Sequence, residues 1–324
     1  MKALITGCGG QDGHYLASHL QSLGYQVFGG YRRSSQAVLP QSVEAVPLEL
    51  TEYESVRRAI KRVEPDEIYN LGAQSHVGES FGCPLYTADV NHLGVLRLLD
   101  AVRETEIRLY QASTSEMYGG GRGLTEKSPF APRSPYAVAK LAAHHAVEVY
   151  RKSYGVKASS GILFNHESPM RGRDFVTRKI TSHLAKNEPF TLGNILAKRD
   201  WGHAADYVRA MHLMLQHEPD DFVVATGVSH TVQDFLQEAE KHVPWLAQVT
   251  TSEDQMRPWD VQELSGDSSK AREVLGWKPS YDFEGLVADM MEADLGTIGV
   301  RTAEVCGECE SSAVVCDCGL KLAN

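Results

Sequence analysis

The sequence has no apolar run near the roughly 20 residues that a membrane-spanning helix requires, so no membrane association is expected. It also lacks an excess of basic residues. Lys and Arg number 32 against 42 Asp and Glu, a formal net charge of −10. Broad binding to nucleic acid or anionic lipid is therefore not expected, because such surfaces concentrate Lys and Arg on one face. The start, MKALITGCGG, lacks a secretory-leader layout, since its short apolar stretch runs straight into glycines. A cytoplasmic location is the expectation. Internal repeats and low-complexity segments are absent. Cysteine is scarce over most of the chain: only Cys8 and Cys83 precede Cys306, Cys309, Cys316 and Cys318. A disulfide framework is not expected in a chain this long without a secretion signal. What is present is 324 residues, 42% of them apolar, enough for one large domain or two smaller ones.

The first half alternates strands and helices. KALIT at 2–6, YQVFGG at 25–30, VEAVPLEL at 43–50, DEIYNLG at 66–72, IRLYQAS at 107–113 and VKASSGILF at 156–164 read as short buried strands. Helical patterns separate them at 14–24, 53–63, 85–104 and 135–153. This alternation predicts βαβ units and a parallel sheet covered on both faces. The fold class expected is α/β, a Rossmann-type doubly wound parallel sheet over 1–164. A smaller mixed α/β substrate-binding region over 165–295, interleaved with the first, is expected to pack on it. That second part carries helical patterns at 175–186, 204–216, 231–242, 267–275 and 283–294, and a strand at 221–226. Residues 296–324 read as a linker and a Cys-rich tail.

The first strand ends in Gly7-Cys8-Gly9-Gly10-Gln11-Asp12-Gly13. A G-x-x-G-x-x-G run between a strand and a helix permits a tight turn and close approach of backbone to a pyrophosphate. The helix N-terminus then supplies N–H groups and partial positive charge. At the end of the second strand, an NAD site usually places an acidic residue on the ribose 2′-hydroxyl. Here the sequence is Tyr31-Arg32-Arg33-Ser34-Ser35. Guanidinium and hydroxyl groups suit a 2′-phosphate, which points to NADP.

Thr114-Ser115-Glu116 follows the fifth strand and so is expected at the carboxyl edge of the sheet, where ligands bind in open α/β folds. Tyr136 and Lys140 form Y-x-x-x-K near the start of a helix, and residues four apart share a face. A cationic Lys140 beside Tyr136 is expected to lower the phenol pKa. The phenolate is then a base for a hydroxyl proton while a nicotinamide takes the hydride.

Together these motifs resemble the extended short-chain dehydrogenase/reductase superfamily, and within it the GDP-mannose 4,6-dehydratases. The strings that carry the likeness span about residues 1–292. They are GxxGQDG, YRRSS, YNLGAQSHV at 69–77, PLYTADVN at 84–91, QASTSEMYG at 111–119, PRSPYAVAK at 132–140, GILFNHESP at 161–169, FVTRKIT at 175–181, AKRDWGHAADYV at 197–208 and LGWKP at 275–279. The resemblance implies oxidation at C4 of GDP-mannose, loss of water across C5 and C6, and reduction at C6, giving GDP-4-keto-6-deoxymannose. It implies that Tyr136 takes the C4 hydroxyl proton, Lys140 holds the cofactor ribose and tunes Tyr136, and Thr114 hydrogen-bonds the C4 oxygen. Glu116 would take the C5 proton and assist departure of the C6 hydroxyl, with Ser115 orienting that step. Gln11, Asp12, Glu49, Leu50, Leu71, Ala73 and His166 would join the cofactor site. Ser75 and Asn165 would approach the sugar, Val176 and Lys179 the guanine end, and Arg199 and Arg257 the diphosphate or ribose. Glu116 is the discriminating residue, because epimerases and reductases of the superfamily do not need a carboxylate there.

Two features depart from the family pattern. The segment after YRRSS is shorter than in typical members, where it reaches a neighbouring subunit, so a homodimer through the helices near 85–104 and 135–153 is expected and a tetramer stays open. Glu49-Leu50-Thr51 stands where Asp-Leu-Thr is usual. His144 and His145 are adjacent on a helix and do not face each other, so they read as structural rather than as metal ligands. The four tail thiols could hold zinc in a tetrahedron, although C-x2-C-x6-C-x-C departs from common spacing; a tail with free thiols is the other reading. The rival activities are dehydration of another nucleotide sugar, such as a GDP-heptose, and epimerisation or reduction. A silent sugar-nucleotide-binding regulator is disfavoured by the intact Thr114, Glu116, Tyr136 and Lys140.

Overall fold

A computed structural model describes residues 1–32, 38–256 and 259–297. In chain order its strands are β1 (Lys2–Thr6), β2 (Gln26–Tyr31), β3 (Glu44–Pro47), β4 (Glu67–Asn70), β5 (Arg108–Thr114), β6 (Gly121–Leu124), β7 (Ala158–Leu163), β8 (Asn165–Glu167), β9 (Phe190–Leu192), β10 (Lys198–His203), β11 (Asp221–Val224), β12 (Ser229–Thr231), β13 (Val249–Thr251) and β14 (Glu263–Gly266). The α-helices are α1 (Gln11–Ser22), α2 (Tyr53–Val63), α3 (Pro84–Ala88), α4 (Gly94–Val102), α5 (Pro135–Tyr154), α6 (Val176–Ala185), α7 (Ala204–Leu215), α8 (Val232–Glu240), α9 (Ser269–Leu275) and α10 (Phe283–Thr297).

Seven strands form one all-parallel sheet in the order β11-β7-β5-β4-β1-β2-β3. Its central strands are buried residue after residue, because helices cover both faces. α1, α7 and α9 pack on one face and α2, α4 and α5 on the other. The order reverses between β1 and β4, which opens a crevice at their carboxyl ends. The longest helix, α5, starts at the right place for local reasons. Ser134 accepts the Ala137 N–H at 3.1 Å, Pro135 needs no amide partner, and Gly155 closes the helix at φ +70°.

A second sheet, β12-β10-β14-β6 with β8 on β10, joins α6, α8 and α10 around their own core. The sequence division at residue 164 is crossed in both directions. β6 comes from the first half yet lies in the second sheet. β11, assigned from sequence to the second region, pairs instead with β7 from Asp221↔Ser160 to Val224↔Leu163 and ends the large sheet. Phe222, Val223 and Val224 are fully buried, which the sequence shows, but which sheet buries them is a tertiary matter.

The single helix expected over 85–104 is divided. A π-turn at Asp89–Leu93 separates α3 from α4. Such turns are frequent at functional sites, and Asn91 lies at the middle of this one. It is buried, and its side chain accepts the Gln74 N–H at 2.8 Å and donates to the Gln74 carbonyl at 2.8 Å. The loop after β4 is thereby fixed along one wall of the crevice. Asn91→Ala leaves both Gln74 groups unpaired. The expected loss is about 2 kcal/mol of stability, with several-fold weaker dinucleotide binding. Urea unfolding and a binding titration check this; an unchanged unfolding midpoint would remove Asn91 from the wall.

Candidate active site

The crevice is a cleft of about 290 Å³ lined by Gly7, Gly10, Tyr31, Arg32, Glu49, Leu50, Leu71, Ala73 and Ser75, among others. Its floor is backbone because nothing larger than glycine fits. A Cβ on Gly7, which has φ +66°, would stand 2.8 Å from the Gly72 nitrogen, and one on Gly13 would stand 2.3 Å from the Cys8 carbonyl. The N-cap of α1 is Gly10, which offers no side chain to the first-turn amides, so they are available to an anion. A dinucleotide fits this cradle. Arg32 sits at the rim and donates to the Tyr86 hydroxyl. Glu49 accepts the Thr51 N–H at 3.4 Å. Arg33 and Ser34 lie outside the described residues.

The side chains of Gln11 and Asp12 join the two sides of the site. The Gln11 amide donates to the His166 carbonyl at 3.1 Å and accepts from Ser168 Oγ at 2.8 Å. Asp12 Oδ2 lies 2.9 Å from His166 Nε2. The start of α1 thus holds β8, a strand of the second sheet.

The catalytic candidates converge at the ends of β5 and the start of α5. Thr114 is the last residue of β5, and its Oγ1 accepts the Glu116 N–H at 3.2 Å, capping the short 3-10 turn Ser115–Tyr118. Ser115 is buried and Glu116 half-buried. The Thr114 hydroxyl also hydrogen-bonds the Tyr136 phenol, while the Tyr136 N–H is held by Ser80 Oγ at 3.2 Å. The expected lowering of Tyr136 by Lys140 is not what the geometry shows. Burial pushes the phenol up to about 12, opposed by the Thr114 hydrogen bond and reinforced by the Glu116 charge. Lys140 Nζ is 5.9 Å from the Tyr136 ring centroid and donates to the Ala112 carbonyl at 2.9 Å. Burial pulls Lys140 itself down to about 8. Both groups stand in one dry pocket, so desolvation exceeds their mutual effect.

The substrate candidates are less uniform. Ser75 lines the dinucleotide cleft. Asn165 is paired beside Trp201 where β8 meets β10. Val176, at the start of α6, packs against the second region's core. Lys179 Nζ lies 3.4 Å from Gln255 Oε1. Arg199 is buried: its guanidinium donates to the carbonyls of Lys198 and Val261 and pairs with Asp260 at 3.6 Å. That places it as a brace under the neighbouring loop. Arg257 lies outside the described residues, as do Cys306, Cys309, Cys316 and Cys318. Among the described residues no His, Cys, Asp and Glu group is arranged to hold a metal, and no helix is long and apolar enough to cross a membrane.

Three residues of this site escaped the sequence reading. Tyr86 and Asn91 sit inside PLYTADVN but on a broken helix, so helical spacing hid them. Arg171 follows β8 with its guanidinium 3.6 Å over the Phe175 ring and its Nε 2.9 Å from Glu167. Its charge lowers both Tyr136 and Asp12. An arginine among Met170, Arg173 and Asp174 carries no spacing signal of its own.

Residues 4–290 match the family model described as GDP-mannose 4,6 dehydratase. The chain is 48% identical over 322 residues to GDP-mannose 4,6 dehydratase 1 of Arabidopsis thaliana, covering 90% of this chain and 89% of that one. It is 45% identical over 338 residues to the Homo sapiens GDP-mannose 4,6 dehydratase, covering 90% and 91%. Among solved structures, the Thermus thermophilus UDP-glucose 4-epimerase complex with NAD superposes with a TM-score of 0.85 at 27% identity, covering 91% of this chain and 99% of that one.

The Asp12–His166 pair gives the site a pH signature. Both ring nitrogens of His166 face acceptors, Nε2 the Asp12 carboxylate and Nδ1 the Phe164 carbonyl at 2.8 Å, an arrangement that favours the protonated ring. Burial would lower His166 and raise Asp12, but their mutual charge and hydrogen bond outweigh it. His166 lies above its ordinary 6.5 and Asp12 below its ordinary 3.8. The Asp12 contribution to stability is present above pH 3.8 and is lost as pH falls through its lowered value. The His166 contribution is complete below pH 6.5 and is lost as pH rises through its raised value. Stability is therefore expected to decline as pH rises above 6.5, and Asp12→Asn to flatten that decline. Thermal midpoints across neutral and alkaline pH decide it; parallel declines in both proteins would dismiss the pair.

Proposed function

The chain belongs to the GDP-mannose 4,6-dehydratase family, and from that premise we propose which of its residues carry the reaction and that its dinucleotide is NADP. The reaction converts GDP-mannose to GDP-4-keto-6-deoxymannose. The observation that carries the assignment of roles is Glu116. It shares one short turn with Thr114, whose hydroxyl bonds Tyr136. One face of a sugar can therefore meet both a phenol and a carboxylate.

A nicotinamide dinucleotide supplies the acceptor for the C4 hydrogen and its return to C6. The glycine cradle, the amides of α1 and Arg32 would hold it. NADP is favoured over NAD because the β2 end offers Arg32, and Arg33 and Ser34 in sequence, where an NAD site would carry an acid. Tyr136 removes the C4 hydroxyl proton while Thr114 holds that oxygen. Its phenol is pushed up by burial and Lys140 does not offset that, so the phenolate would need the positive charge that a bound oxidised nicotinamide would supply, with Lys140 holding the cofactor ribose. The resulting ketone acidifies the C5 hydrogen, which Glu116 takes. Glu116 then passes the proton to the leaving C6 hydroxyl, which departs as water, with Ser115 orienting the turn; when hydrogen returns to C6, Tyr136 would give C5 the proton it took from the C4 hydroxyl, so both bases end as they began. Asn165, Lys179, Val176, Ser75, Arg199 and Arg257 are proposed on the substrate side. For Arg199, burial against Asp260 favours shaping that side over gripping a phosphate directly.

Purified protein is expected to release NADP on denaturation and to convert GDP-mannose to a product lighter by one water. Glu116→Gln should still oxidise C4 but lose water at least about a hundredfold more slowly. Mass analysis of the nucleotide sugars reads both. Turnover of another nucleotide sugar with GDP-mannose untouched would overturn the substrate, and normal water loss by Glu116→Gln would overturn its role.

We also propose a homodimer packed through α3, α4 and α5. Leu85 is 86% exposed, and Val138 and Val149 are more than half exposed on the same helical layer, an apolar surface that a partner would cover. Light scattering should give twice the chain mass; a monomer with Leu85 free in solution would refute it.

A further inference from the structure

His144 is one turn past Lys140 on α5, two turns past Tyr136, and it plays no part in the reaction above. It is buried. Its Nδ1 lies 3.4 Å from Ser113 Oγ, and that same hydroxyl lies 3.4 Å from Met117 Sδ. Its ring also meets Phe130 edge-on at 5.4 Å, and Phe130 stacks on Tyr118 at 5.1 Å. Ser113 immediately precedes Thr114, and Met117 and Tyr118 are the last two residues of the turn that carries Glu116. His144 therefore reaches that turn from both ends, by a polar route through Ser113 and an aromatic route through Phe130. Its other nitrogen, Nε2, faces Asp221 at 3.9 Å, and Asp221 is fixed by Arg151 at 2.6 Å. Arg151 belongs to α5 and Asp221 to β11, so the histidine's own position is set by the scaffold. Lys140 adds a parallel tie to the preceding residue, through the Ala112 carbonyl.

We propose that His144 is a positioning residue that sets the turn of Glu116 against the helix of Tyr136, so that the base for elimination and the base for oxidation address one sugar at a fixed offset. This rests on the roles given above to Glu116 and Tyr136. Oxidation uses groups on α5 and at the end of β5. Elimination uses the turn, whose flanks are tied to α5 through Ser113 and Phe130. Loosening the brace should therefore slow elimination more than oxidation, because small misplacements of a proton acceptor are costly.

Ser113→Ala removes the hydroxyl with almost no change in volume, and His144→Phe keeps the ring against Phe130 while removing the nitrogen. Each is expected to leave KM for GDP-mannose within about twofold and to lower kcat by about tenfold or more. Quenched samples should hold an increased share of the 4-keto sugar that has not lost water. The double variant should be no worse than the poorer single one, since both act on one contact. A core histidine with only a packing role would lower the thermal midpoint and leave the ratio of ketone to final product at the wild-type value. That ratio unchanged in Ser113→Ala overturns the proposal, as does additivity in the double variant; if His144→Phe does not fold, Ser113→Ala alone decides. Glu116→Gln runs alongside. If it shows the wild-type ratio, the role of Glu116 falls and the brace with it; if it accumulates ketone while Ser113→Ala does not, the brace alone falls.

Discussion

A parallel sheet with both faces covered has no water to satisfy a polar side chain, yet this one carries a row of them across its centre. Thr6 Oγ1 donates to Asn70 Oδ1 at 2.6 Å and accepts the Gly72 N–H at 2.9 Å. Asn70 donates to Gln111 at 2.7 Å, Gln111 to the Ala112 carbonyl at 2.7 Å, and Lys140 to that same carbonyl. Each member is buried, and each would cost a few kcal/mol if left unpaired. The row spans β1, β4 and β5 and ends on α5, so it ties the floor of the cleft to Lys140. Most other features of the site hang from it. The glycine loop is placed by Gly72, the end of β5 by Gln111, and the register of α5 by Lys140.

Much of this was legible in the sequence, and the limits of legibility are physical. Apolar strands and helix signals such as Ser134-Pro135 act locally, so β1 to β5 and α5 fell close to their expected bounds. Gly7 and Gly13 were readable because only glycine tolerates their surroundings, and Tyr136 with Lys140 because helical spacing brings them to one face. The π-turn at Asp89–Leu93 was not, since the partner of its buried Asn91 is the backbone of Gln74, a contact made only in the assembled fold. Nor was the placing of β11, whose apolar residues suit either sheet. The pKa of Tyr136 is hidden for the same reason: proximity to Lys140 is a matter of spacing, whereas burial of the phenol is a property of the assembled pocket. Arg171 shows the converse, a charge whose importance comes only from what lies around it.

The candidate substrate residues divide along a similar line. Those on regular elements, Asn165 and Val176, stand where the strands and helices put them. Arg199 was expected at a phosphate on chemical suitability, and the fold commits much of its donor capacity to backbone carbonyls and Asp260. Suitability for an anion is shared by every arginine, and only tertiary placement distinguishes those that remain available.

The interleaving of the two sheets bears on how the molecule is made. β11 cannot pair with β7 until more than two-thirds of the chain has been synthesised, and β6 waits still longer for β14. An emerging chain therefore exposes the edge of β7 and the apolar side chains meant for its last neighbour, a state open to aggregation. The large sheet has all its strands once β11 emerges, whereas the second sheet still waits for β14. The second sheet is thus finished late, and a chain truncated before residue 263 would lack not one lobe but β14, the single strand that joins β10 to β6.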